Sequence, residues 1–166
     1  IVLHTAALLR DVGRSTGKSA HHKQTYRMIC AVTPPLGWTK KDLELAALVA
    51  RFHRRARPDR GHRNLRSYPT RMRGSVILLA AILRFATAFK ARRYRSVRRI
   101  DLVESAGVIV IRTHGYTALD PISGKLSDAK RLLEFACHRS VELDTPGRPP
   151  VRSRPAHRPL ERSDAA

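Results

Sequence analysis

The sequence predicts a mainly α protein in three parts: a helical domain over residues 1–95, a small α+β appendage over 96–143 and a disordered tail over 144–166. Three observations carry that expectation. Apolar residues recur at helical spacing as far as Ala91. The period changes to strand-like alternation after Arg99. Beyond Asp144, prolines, arginines and serines almost displace large apolar residues, a composition that cannot bury enough surface to offset chain entropy.

Taken in order, Val2 to Val12 reads as the end of a helix, with Leu3, Ala6, Ala7 and Leu8 on one face and Gly13 as its stop. Ser15 to Ala20 is small and polar, hence a loop. His21 to Ala31 reads as a short helix with Tyr26, Ile29 and Cys30 facing inward, broken by Thr33-Pro34-Pro35-Leu36-Gly37. Thr39 caps the next helix, with Asp42 three residues on, close to a capping box. Leu43, Ala46, Ala47 and Ala50 give that helix one buried face. Arg51 to Arg63, with Pro58 and Gly61, reads as a basic loop. Val76 to Ala91 is apolar nearly all round and is expected at the centre of the domain. Ile100 to Glu104, a turn at Ser105-Ala106-Gly107 and Val108 to Ile111 read as a hairpin. Asp128 to His138 returns to helical spacing, and Val141 with Leu143 adds a short strand.

The charge balance bounds the partners. Lysine and arginine total 33 against 13 acids, a net charge of +20, and most of the bases are arginine. The planar guanidinium fork suits bidentate contact with phosphate, so a polyanion is the natural functional reading, set against solvated arginine faces with no ligand. Aromatics are only 5% of the chain, which disfavours a reader of single-stranded RNA that stacks bases on aromatic platforms. Cys30 and Cys137 form no Cys-X-X-Cys pair, so neither a zinc knuckle nor a disulfide framework is indicated and a reducing cytoplasm fits. The longest apolar run, Val76 to Leu83, is too short to span a bilayer. Ile1 opens inside an apolar segment, so the domain is expected to begin upstream and to self-associate through exposed apolar surface.

The motifs lie in the order Leu8-Leu9-Arg10-Asp11-Val12-Gly13-Arg14, His21-His22-Lys23, Leu36-Gly37-Trp38-Thr39, Leu48-Val49-Ala50-Arg51-Phe52-His53-Arg54-Arg55 and Leu79-Ala80-Ala81-Ile82-Leu83-Arg84-Phe85-Ala86. Singly each is weak; five in register are specific. From Val2 to Leu143 the chain resembles the C-terminal half of the exopolyphosphatase / guanosine pentaphosphate phosphohydrolase family. Its first domain resembles the His-Asp (HD) phosphohydrolase domain. The resemblance implies an HD-like helical domain followed by a small appendage, the accessory half of a hydrolase. That half helps form a basic channel for polyphosphate and contributes to dimerisation. Hydrolysis and Mg²⁺ would belong to an actin-like ATPase-fold half, and no glycine-rich phosphate loop of that kind occurs in this sequence.

Residue by residue the match is uneven. Asp11, His21, His22, Lys23 and His53 stand where the resemblance places them, whereas Arg10 replaces the histidine of the His-Asp pair. Gln24 follows Lys23 in place of histidine, and Ala86-Thr87-Ala88-Phe89-Lys90 lacks two acids of the pattern. A fixed cation at Arg10 and a hydroxyl at Thr87 oppose a divalent ion, so no metal, cofactor or catalytic residue is assigned, and no tight binding is expected at Asp11, His22 and His53. His22 and His53 are expected to hydrogen-bond within the helical core, and Asp11 to pair with Arg10 or Arg14. Lys23, Arg51, Arg54, Arg55, Arg57, Arg92, Arg93 and Arg95 are expected to bind polyphosphate or another polyanion. The partners in view are that polymer, a second copy or a catalytic half, and no membrane. Rival readings are a degenerate metal-dependent HD phosphohydrolase, a basic nucleic-acid module, and a remnant without function. Whether polyphosphate or guanosine pentaphosphate was the parent substrate stays open.

Overall fold

A computed structural model describes residues 1–17, 20–54, 58–89, 97–105, 107–114 and 124–144. Among these the architecture is mainly α with a small sheet, in the order α1 (Val2–Leu9), a 3₁₀ turn (Val12–Thr16), α2 (His21–Ala31), α3 (Lys40–Arg51), α4 (Thr70–Ala88), β1 (Arg99–Ser105), β2 (Val108–His114), α5 (Gly124–Cys137) and β3 (Val141–Asp144). The expected tail, and the boundary near residue 95, lie outside the described residues.

α2 begins and ends where its apolar spacing places it. α3 starts on the expected capping box. The Thr39 hydroxyl accepts from the Asp42 backbone N–H, and the Asp42 carboxylate accepts from the Thr39 N–H at 2.9 Å. Two donors that the first helical turn cannot satisfy itself are thereby met, an arrangement worth roughly 1 kcal/mol. Three bounds shift. α1 stops at Leu9, and the 3₁₀ turn occupies part of the expected loop. α4 begins at Thr70, one polar turn and a half before its apolar run. It is also not buried all round, since Ile82 and Ala86 are exposed. α5 begins at Gly124 rather than Asp128.

Two apolar clusters share α4. The first joins Ala6 of α1, Ile29 of α2, Leu48 and Val49 of α3, Phe52, and Val76, Ile77, Ala80 and Leu83 of α4. The second joins Ala81 and Phe85 of α4 to Ile111 of β2, Leu126, Ala129 and Leu132 of α5, and Val141 of β3. Each large side chain taken wholly out of water here contributes roughly 1.5–3 kcal/mol. The sheet order is β1-β2-β3, with Leu102 opposite Ile111 in the antiparallel pair and Ile111 beside Leu143 in the parallel one. Parallel neighbours cannot be joined by a tight turn, and α5 lies between β2 and β3 as the crossover. Gly107, at φ +77°, serves the β1–β2 hairpin loop. Among the described residues no helix is long and apolar enough to cross a membrane, and Cys30 and Cys137 are free.

Candidate functional site

The segment after α1 is pressed against the start of α2, and one glycine permits it. A Cβ on Gly13 would run into the His21 carbonyl oxygen, the Thr25 amide nitrogen and the Thr25 hydroxyl, all closer than real Cβ contacts come. Thr25, fully buried, locks the contact: its hydroxyl accepts from the Gly13 N–H at 3.0 Å and donates to the Arg10 carbonyl at 3.2 Å. The sequence reads Gly13 as a helix stop. Its stronger duty is steric, and it brings Asp11 to the first turn of α2.

There Asp11 meets two imidazoles. One carboxylate oxygen of Asp11 and one ring nitrogen each of His21 and His53 lie within 4.8 Å of one another. His53, just past the end of α3, is 2% exposed. Its Nδ1 lies 2.6 Å from the Ala50 carbonyl. A carbonyl only accepts, so Nδ1 carries the proton and Nε2 presents its lone pair. Burial pushes the His53 pKa down to about 4, which keeps the ring neutral near pH 7. That Nε2 lies 3.8 Å from Asp11 Oδ1, and both buried atoms lack a hydrogen bond. Arg84 of α4 donates to the Phe52 carbonyl at 2.8 Å and holds the backbone beside His53.

The arginines around Asp11 are turned in different directions. Arg10 Nη1 donates to the Ala7 carbonyl at 2.6 Å, while its Nε lies 3.4 Å from Asp11 Oδ2. Arg14 Nε lies 3.0 Å from Oδ1, a contact of charge rather than of hydrogen-bond geometry. Asp11 thus pairs with both arginines that the sequence offers it. Arg54, exposed beside His53, adds a third cation.

Residues 1–110 match the family model described as Ppx/GppA phosphatase, domain III. The chain belongs to the Ppx/GppA phosphatase family. Comparison with curated proteins found no match. In this Ppx/GppA chain the matched span takes in α1 to α4, β1 and the first residues of β2, and so contains Asp11, His21 and His53.

The other expected residues fall out as follows. His22 is buried with its ring edge-on to His21, centroids 6.0 Å apart, and takes no part in the three-residue cluster. Thr87 donates to the Leu83 carbonyl one turn back along α4, at 2.7 Å. Lys23 and Arg54 are exposed. Arg51 is turned inward: it is 8% exposed, and its guanidinium lies over the Tyr26 ring at 5.5 Å, because the last turn of α3 packs on α2. Arg55, Arg57, Arg92, Arg93 and Arg95 lie outside the described residues. Thr25 escaped sequence reasoning altogether. Its one signal is a threonine four residues after His21, on the face that α2 buries.

Proposed function

We propose that this chain is a polyphosphate-binding accessory region of an exopolyphosphatase-type protein, one that holds the polymer without cleaving it. The observation that carries the reading is the segment from Leu45 to Ile100, which holds fifteen arginines and one lysine against a single acid, Asp59. Arg54, Arg60, Arg63, Arg66 and Arg71 of that segment are exposed. Membership of the Ppx/GppA family supports a phosphoanhydride polymer as the polyanion. A linear phosphate chain asks only for cations in sequence, whereas RNA recognition asks for aromatic platforms that this composition lacks.

Fluorescence anisotropy with labelled long-chain polyphosphate tests the reading, across a series of salt concentrations. Each neutralised phosphate releases condensed counterions, so affinity should fall steeply as salt rises. Replacing Arg54, Arg55 and Arg57 together by alanine should weaken binding and reduce the log–log slope by up to about three, roughly one per lost contact. Single-stranded RNA of equal charge should compete without sequence preference. Phosphate release that co-purifies with the chain and is lost in Asp11→Ala would replace this reading with an enzyme. Preference for one nucleic-acid sequence over polyphosphate would replace it with a nucleic-acid module.

A further inference from the structure

We propose that Arg51, Arg27 and Arg63, together with the Nε2–H of His62, hold one tetrahedral oxyanion, an orthophosphate or the terminal phosphoryl group of a larger ligand, where the end of α3 meets α2. The case begins with Arg51. It is 8% exposed, and its guanidinium lies over the Tyr26 ring at 5.5 Å. Among the described residues no carboxylate pairs with it and no oxygen accepts from it. An aromatic face attracts a cation but does not satisfy the guanidinium N–H groups as an oxygen does. A charge taken out of water is ordinarily paired, and the guanidinium fork is matched best by two oxygens of one phosphate or carboxylate.

The neighbours favour a partner of more than one charge. Arg27 follows Tyr26 on α2 and is exposed, and Arg63 is exposed in the segment before α4. Burial, then the charges of Arg63 and Arg27, push the Arg51 pKa below its ordinary value, so the three cations repel one another as they stand. His62 lies beside them. Its ring meets Phe52 edge-on with centroids 4.9 Å apart, and Phe52 is next to Arg51 in the chain. The Asn64 backbone N–H donates to His62 Nδ1 at 3.2 Å, so in the neutral ring the proton is on Nε2. Burial and the Arg51 charge hold the His62 pKa down, which keeps the ring neutral near pH 7 and Nε2 a donor.

The acids nearby are engaged elsewhere. Glu44 of α3, whose charge reaches Tyr26, accepts from the Tyr68 hydroxyl at 2.9 Å, and Asp59 accepts from the Gly61 N–H. Three guanidiniums and an imidazole N–H exceed what the two oxygens of a carboxylate can occupy, whereas a phosphate group offers more oxygens and a second charge. The site shares Arg63 with the surface proposed to hold a polymer. It rests on a buried guanidinium without a partner and not on a count of exposed charge, so either reading can fail alone.

The test uses the full chain, dialysed free of phosphate and titrated with inorganic phosphate by calorimetry and thermal unfolding, with chloride at equal ionic strength as the control. The expected result is one phosphate per chain and an unfolding midpoint that rises with free phosphate. Arg51→Met should weaken binding about tenfold or more, whereas a purely structural Arg51 would leave the response to phosphate intact. Arg27→Ala and Arg63→Ala, both at exposed positions, should each weaken binding roughly threefold, and they read the site however Arg51→Met folds. Linear tripolyphosphate has terminal phosphoryl groups and cyclic trimetaphosphate has none. Displacement of phosphate by the linear form alone assigns the site to an end group, and displacement by neither assigns it to free orthophosphate. Long-chain polyphosphate binding that persists in Arg51→Met leaves the polymer surface standing whichever way the phosphate result falls. Absence of saturable binding, an effect that chloride reproduces, displacement by the cyclic form, or affinity unchanged in Arg27→Ala and Arg63→Ala would overturn the proposal.

Discussion

Two regions of the helical half lie next to each other at His53 and Arg54, and they are held in opposite ways. The Asp11–His21–His53 cluster depends on backbone packing: a glycine that admits α2, a buried threonine that ties two segments, and a carbonyl that fixes one ring. The arginine-rich segment after α3 differs: Arg54, Arg60, Arg63, Arg66 and Arg71 are exposed, in a stretch of sequence with one acid among sixteen bases, and their common feature is charge. Such a surface tolerates rearrangement, because long-range attraction between exposed charges and a polyanion does not require one fixed geometry. The cluster does not. A displacement of an ångström separates its atoms.

The contrast breaks most sharply at Gly13. Gly13→Ala places a methyl group against backbone atoms that cannot swing aside, so about 3 kcal/mol of stability should be lost, the upper part of the usual range for overpacking. Urea unfolding measures the loss. Polyphosphate affinity, if the surface depends on charge alone, should change less than twofold under conditions where the variant is folded. An equal loss in both would tie the two regions together.

Acid should act on the cluster next. The folded-state pKa of His53 is about 4 and its unfolded value is near 6.5, so between them the unfolded chain binds the extra proton. Stability should therefore fall as pH drops through that window, by on the order of 3 kcal/mol across it, and this contribution should be level above pH 6.5 and below pH 4. Because His53 is wholly buried, solvent screening reduces this little. Chemical denaturation in chelator at pH 7 and pH 4.5 decides it. A flat profile would mean that His53 finds a partner for its second proton.

The smallest effect concerns the entrance to α2. Ala20, its N-cap, sits at φ 52°, a left-handed conformation that costs an alanine about 1–2 kcal/mol. Ala20→Gly relieves that strain against the extra entropy of an unfolded glycine, for a net gain of about 0.5 kcal/mol. A lower urea midpoint in the variant would show that the alanine methyl group makes a contact worth more than the strain.

How much of this was legible differs between the same two regions. The cationic charge can be counted from the chain, because charge survives without a fold; that Arg51 turns inward onto Tyr26 cannot be read there. The bounds of α2, the Thr39–Asp42 pair and the existence of a hairpin between Ile100 and Ile111 were legible too, since each rests on residues a few positions apart, whereas the hairpin's register was not. α4 was read six residues short because Thr70 to Ser75 is polar apart from Met72 and Gly74, and one apolar side chain does not make a periodic pattern. The cluster was the least legible. His21 and His22 are neighbours on one helix about 100° apart, and spacing does not say which of them faces Asp11. Gly13 and Thr25 decide that, through contacts across twelve residues that no local period records.

The helix that borders both apolar clusters has a consequence for how the chain comes apart. α4 gives Val76, Ile77, Ala80 and Leu83 to one layer and Ala81 and Phe85 to the other, so no part of its middle can be released without opening both. The sheet with α5 and the bundle bearing Asp11 are then expected to unfold together, not in separate steps as beads on a string would. A weakening on the β2 side is passed along the shared wall to the backbone that Arg84 clasps beside His53. Most of the coupling between the two layers is expected to run through α4, with Ala136 of α5 also set against both clusters.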